Sequence, residues 1–101
     1  MATFITNIKF SQQGIKDIDH TTKRAAIFKA EAKKLGAKVK DIYWTLGEHD
    51  GILILEAPDD ETATAAILYL AAIGNVHTTT CRAFTAAEMD KIVAKVHGDG
   101  K

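Results

Sequence analysis

Tyr43-Trp44-Thr45-Leu46-Gly47-Glu48-His49-Asp50-Gly51-Ile52-Leu53-Ile54-Leu55-Glu56-Ala57-Pro58-Asp59-Asp60-Glu61 holds the end of one strand, a short connection, a second strand and the start of a helix. Residues 37–46 alternate as a strand does, with Ile42, Trp44 and Leu46 on one face and Val39, Asp41, Tyr43 and Thr45 on the other. Residues 52–57 are almost continuously apolar, the pattern of a central strand covered on both faces. The five residues between, Gly47 to Gly51, are too few for a crossover, so the two strands form an antiparallel hairpin. Pro58 then stops the strand, and Asp59, Asp60 and Glu61 suit the positive end of a helix.

Working outward, the helix after Pro58 presents Ala63, Ala66, Ile67, Leu70 and Ile73 as its buried stripe and ends at Gly74. Residues 75–84 form a Thr-rich strand. Thr85-Ala86-Ala87-Glu88 is a capping box, in which Thr85 and Glu88 satisfy each other's free amides. It launches a third helix carrying Met89, Ile92, Val93 and Val96 at core spacing. Upstream, residues 2–10 are a strand with Phe4, Ile8 and Phe10 on one parity and Ile5 on the other. Residues 11–14 supply a turn and 14–19 a short helical prelude. The first long helix starts near residues 20–22, capped by Asp19 or Thr21, with Ala25, Phe28, Ala32 and Leu35 as its apolar stripe and Gly36 past its end.

The order is strand, helix, strand, strand, helix, strand. That is an α+β, ferredoxin-like βαββαβ arrangement: an antiparallel four-stranded sheet, two helices on one face and an extra C-terminal helix. The expected boundaries are one domain over residues 1–96 and a flexible tail over 97–101. The sheet face away from the helices has nothing in this chain long enough to cover it, which points to a homodimer or larger even oligomer.

Composition narrows the function classes. Thirteen basic and thirteen acidic residues leave no excess cation to neutralise phosphates, so nucleic-acid binding is not expected. No apolar run approaches the ~20 residues of a membrane span. One cysteine, Cys81, precludes an internal disulfide and is read as an inert, half-buried thiol; with no secretory signal visible, the expected location is cytoplasmic. His77 and Cys81 share a parity on the last strand, but four residues of strand span ~13 Å, too far for ligands lying ~2 Å from one ion. No metal site and no cofactor is expected. The chain has neither a phosphate-binding glycine loop nor a nucleophile with a base beside it.

The runs Ala2-Thr3-Phe4-Ile5-Thr6, Leu35-Gly36-Ala37-Lys38-Val39-Lys40, Tyr43-Trp44-Thr45-Leu46-Gly47 and Glu56-Ala57-Pro58-Asp59-Asp60, with Gly74-Asn75-Val76 leading into Arg82-Ala83-Phe84, resemble the GYD domain family. The resemblance covers roughly residues 2 to 95. It implies a ferredoxin-like fold in the dimeric α/β-barrel style of small bacterial proteins, and no defined reaction. The Gly-x-Tyr-Asp element that names the family stands here as Gly47-Glu48-His49-Asp50, with histidine in place of tyrosine.

That loop is the most informative polar cluster. An imidazole beside carboxylates titrates near neutrality and can serve as a general base. The plainer reading, which ranks above it, is a solvated hairpin tip with Asp50 bonding its own backbone. The candidate ligand-binding residues are Tyr43, His49, Asp50, His77 and Arg82; no residue stands out as catalytic. Two functions stay open. The first is a small homo-oligomeric module that binds a ligand or partner without catalysis. The alternative is a cofactor-independent dimeric α/β-barrel enzyme, of oxygenase, isomerase or decarboxylase type, acting on a small apolar molecule with His49 or His77 as base and Arg82 holding an anion.

Overall fold

Alternation along the central strands sorts their side chains onto two faces, and the helices bury only one of them. In the computed structural model, which describes residues 1–98, the chain runs β1 (Ala2–Phe10), α1 (Gln12–Lys16), a 3-10 turn (Ile18–His20), α2 (Thr21–Leu35), β2 (Lys38–Trp44), β3 (Gly51–Ala57), α3 (Asp60–Ala72), β4 (Val76–Ala83) and α4 (Ala86–Val96). Four antiparallel strands lie in the order β2-β3-β1-β4. This is the ferredoxin-like α+β fold with a C-terminal helix added. Of the tail expected over 97–101, residues 99–101 lie outside the described residues.

The core sits between the sheet and the helices α2 and α3. Phe4 of β1, Val39 of β2, Leu53, Leu55 and Ala57 of β3, Phe28 and Ala32 of α2, Ala63, Ala66 and Ile67 of α3, and Ala37 before β2 are its buried members. The stripe expected on α2 is shorter than its spacing implied, because Leu35, at the helix end, is exposed. β3 reads apolar on both faces, yet only Gly51, Leu53, Leu55 and Ala57 are buried. Ile52, Ile54 and Glu56 lie half-buried on the open face.

Three local expectations are corrected. First, Val39 faces the helices together with Ile42, not away from it. A β-bulge between Val39 and Asp41 inserts one unpaired residue, so Val39 opposes Leu55, Ile42 opposes Leu53, and Lys40 takes up the slip. Second, α2 begins at Thr21, within the expected range, but its cap position is His20 rather than Asp19 or Thr21 and has no side-chain cap. The Thr21 hydroxyl is engaged elsewhere, accepting a hydrogen bond from the Trp44 indole N–H at 3.0 Å. Third, α4 forms with its capping box intact, but none of its described residues is buried.

The turn expected at residues 11–14 is instead the start of α1, capped by Ser11, whose hydroxyl oxygen accepts from the Gly14 amide at 3.1 Å and donates to the Gly74 carbonyl at 2.6 Å. Gly14 is buried against the turn between α3 and β4: a Cβ there would stand 1.9 Å from the Asn75 carbonyl oxygen. Only glycine permits that approach. Gly36 ends α2 with φ of 98°, the left-handed conformation expected past a helix C-terminus.

Candidate functional site

The hairpin loop lies at the end of the sheet where β1 finishes and β4 begins. Its hydrogen bonds come mainly from Asp50. The Asp50 amide donates to the Ile8 carbonyl at 2.8 Å, its carbonyl accepts from the Thr45 amide at 2.9 Å, and its carboxylate accepts from the Phe10 amide at 2.8 Å. Lys9 adds a bond from its ammonium to the Glu48 carbonyl at 3.0 Å. Asp50 thus bonds across to β1 rather than to its own loop alone, and the loop is tied to the sheet.

His49 is half-buried within this loop, and its bond is through the main chain, its carbonyl accepting from the Thr45 hydroxyl at 2.7 Å. Among the described residues the imidazole has no hydrogen-bond partner. An imidazole without a converging group is no better a base than one free in water.

The remaining candidates are dispersed. Tyr43 opposes Ile52 on the open sheet face and is 55% exposed. His77 opposes Lys9 at the β4 edge and is exposed. Arg82 opposes Phe4 on the helix side, at the other end of the sheet. Its guanidinium lies over the Phe84 ring, 4.5 Å from the centroid, donates to the Thr3 and Ala83 carbonyls, and pairs with Glu88 at 3.3 Å. Arg82 therefore anchors the start of α4. The Thr85 amide's hydrogen bond, with Arg82 assisting, holds the Glu88 carboxyl below its ordinary value. Cys81 is exposed on the open face, not half-buried, because no element among the described residues covers it there.

The structure does hold a cavity, on the helix side of the sheet. It measures about 210 Å³ and opens between α2, the end of α3 and the loop end of the sheet. Phe28 and Ala25 of α2, Trp44 of β2, Leu53 of β3 and Leu70 of α3 form its walls, with Asp50 and Arg24 at its polar margin. Of the sequence candidates, Tyr43 and Asp50 border it; His49, His77 and Arg82 do not. Sequence reasoning does not single out Trp44 or Arg24 as site residues. Tyr43 and Trp44 alternate onto opposite faces, so that Trp44 reads as core or interface packing, and Arg24 reads as a solvated helix charge.

Among the described residues no cluster of three His, Cys, Asp or Glu is placed to hold a metal ion, and no helix is long and apolar enough to cross a membrane.

Comparison with known proteins places this geometry. The GYD domain model matches residues 4–93, nearly the whole chain. This chain belongs to the GYD domain family. In this chain the Gly47-Glu48-His49-Asp50 loop is the one held to the sheet by Asp50. A Thermus thermophilus protein named "Glutamine synthetase and cystathionine beta-lyase binding protein" is 30% identical over 90 residues, covering 88% of this chain and 95% of the relative. The crystal structure of TTHA0845, also from Thermus thermophilus, superposes with a TM-score of 0.56 at 19% identity, covering 85% of this chain and 96% of that one. The structural likeness concerns the fold alone.

Proposed function

We propose that this GYD domain protein is a small homo-oligomeric module, built on residues 1–96, that binds protein partners and has no reaction of its own. The observation that carries the reading is the uncovered surface. One sheet face offers Ile5, Ile52, Ile54 and Tyr43 to solvent in part or in full, and α4 carries an amphipathic stripe of Met89, Val93 and Val96 with exposures of 47%, 42% and 75%. Contiguous apolar surface of this kind marks an interaction site. The relative named for binding glutamine synthetase and cystathionine β-lyase supports protein partners over small substrates. The enzyme alternative has less behind it, since neither His49 nor His77 has a side-chain hydrogen-bonding partner among the described residues.

Two measurements test the reading. Sedimentation velocity at micromolar concentration should give a species of at least twice the 11.0 kDa chain mass, and Ile54→Glu should reduce it to the monomer. Calorimetric titration against purified glutamine synthetase and cystathionine β-lyase from the organism that makes this chain should show saturable binding to at least one. A monomer that binds neither enzyme removes the proposal.

A further inference from the structure

The partner-binding surface proposed above is the open sheet face with α4, and the cavity under the helices lies on the other side of the sheet. Its size bounds its contents. About 210 Å³ exceeds the void of about 150 Å³ that, lined by Leu, Ile and Phe, stays dry and accepts benzene. It is smaller than the roughly 300–1,000 Å³ of pockets that take drug-sized ligands. One ring, or two fused rings, is what fits.

Its lining bounds the chemistry. The walls are aliphatic and aromatic, from Ile8, Phe10, Phe28, Leu53 and Leu70, with the Trp44 ring at the mouth. The charged groups at the margin already have partners. The Arg24 guanidinium donates to the Asp17 carboxylate at 2.9 Å and to the Gly14 carbonyl at 3.3 Å. The Asp50 carboxylate accepts from the Phe10 amide at 2.8 Å. Thr21 is held by the Trp44 indole at 3.0 Å, and the Asn75 side-chain oxygen accepts from Gln13 at 2.9 Å. An anionic ligand would lose its hydration and find the Arg24 cation already paired with Asp17, and a cationic one would meet a single carboxylate, Asp50, at the margin of walls that are otherwise almost wholly apolar. A neutral aromatic ligand gives up only apolar hydration and gains aromatic contacts with Phe28 and Trp44.

We propose that this cavity is a binding site for a small neutral aromatic molecule of one or two rings, separate from the partner-binding surface. Toluene serves as the probe. Trp44 is the chain's sole tryptophan and borders the cavity, so its emission, excited at a wavelength where toluene does not absorb, reports occupancy. Wild-type protein should show a saturable change in Trp44 emission on titration with toluene. Ala25→Leu fills the cavity from the α2 wall and Val76→Phe from the β4 wall; each should weaken the probe at least tenfold while keeping a cooperative thermal transition. Ile54→Glu, on the open face, should leave probe binding unchanged, which separates failure here from failure of the oligomer. A response that stays linear to the solubility limit of toluene overturns the proposal. So does saturable binding that survives in whichever filled variant folds.

Discussion

Asp50 ties the hairpin loop to the sheet. Its carboxylate is the acceptor for the Phe10 amide at the end of an interior strand, while its own amide and carbonyl bind β1 and Thr45. Alanine there would leave a part-buried amide unpaired, which costs about 1–3 kcal/mol. Urea unfolding of Asp50→Ala should show a loss in that range with an unchanged m-value, whereas Asp50→Asn, which keeps an acceptor oxygen, should lose less than half as much. His49 carries no such duty through its side chain. The residue type at that position was therefore a weak guide to chemistry.

In β2 the bulge is the decisive feature. Strict alternation from Val39 to Trp44 puts Val39 on the wrong face, and one extra residue between Val39 and Asp41 restores it to the core opposite Leu55. Because Val39 and Asp41 already oppose the consecutive residues Leu55 and Ile54, deleting Lys40 should leave every buried side chain on its present face. The deletion variant should unfold cooperatively with a native-like amide spectrum; a molten or aggregated product would show that the bulge itself is required. At the other end of the chain, the capping box of α4 has a pH signature. The folded Glu88 carboxyl titrates below its ordinary 4.5, the Thr85 amide being the main cause. A carboxyl whose pKa is lowered on folding contributes stability that is full above that ordinary value and is lost as pH falls through the lowered one. Helicity of α4, followed by amide shifts of residues 86–96, should therefore decline in acid below pH 4.5 in the wild type. In Glu88→Gln the decline over that range should be much smaller.

The molecule is two layers over most of its extent, and the described residues span 53 × 31 × 18 Å. α4 leaves from the end of the sheet where Ala83 opposes Thr3, and it contributes nothing to the core cluster. A chain ending at Phe84 should therefore keep its cooperative transition, with a midpoint within a few degrees of the parent. It should also lose much of the self-association that depends on the helix's apolar stripe. A truncated chain that fails to fold would mean that α4 packs on its own subunit, and the interface would then need another source.

The order of strands and helices was legible in the residues, and for a local reason. Period-2 runs, the Pro58 stop, the Asp59 and Thr85 caps and the left-handed Gly36 all act within a few neighbouring positions. The GYD resemblance was carried by the same short runs. What the residues could not disclose depends on contacts between distant segments. Thr21 lies inside α2 rather than at its cap, and its hydroxyl accepts from Trp44 instead. Asn75 presses on Gly14, and the bulge at Lys40 re-sorts β2 against β3. The cavity is likewise a product of packing, a space between α2, the end of α3 and the loop end of the sheet. Periodicity records which side chains face inward, but a void is set by how far apart the facing elements stand, and that distance is written in no single stretch of the chain.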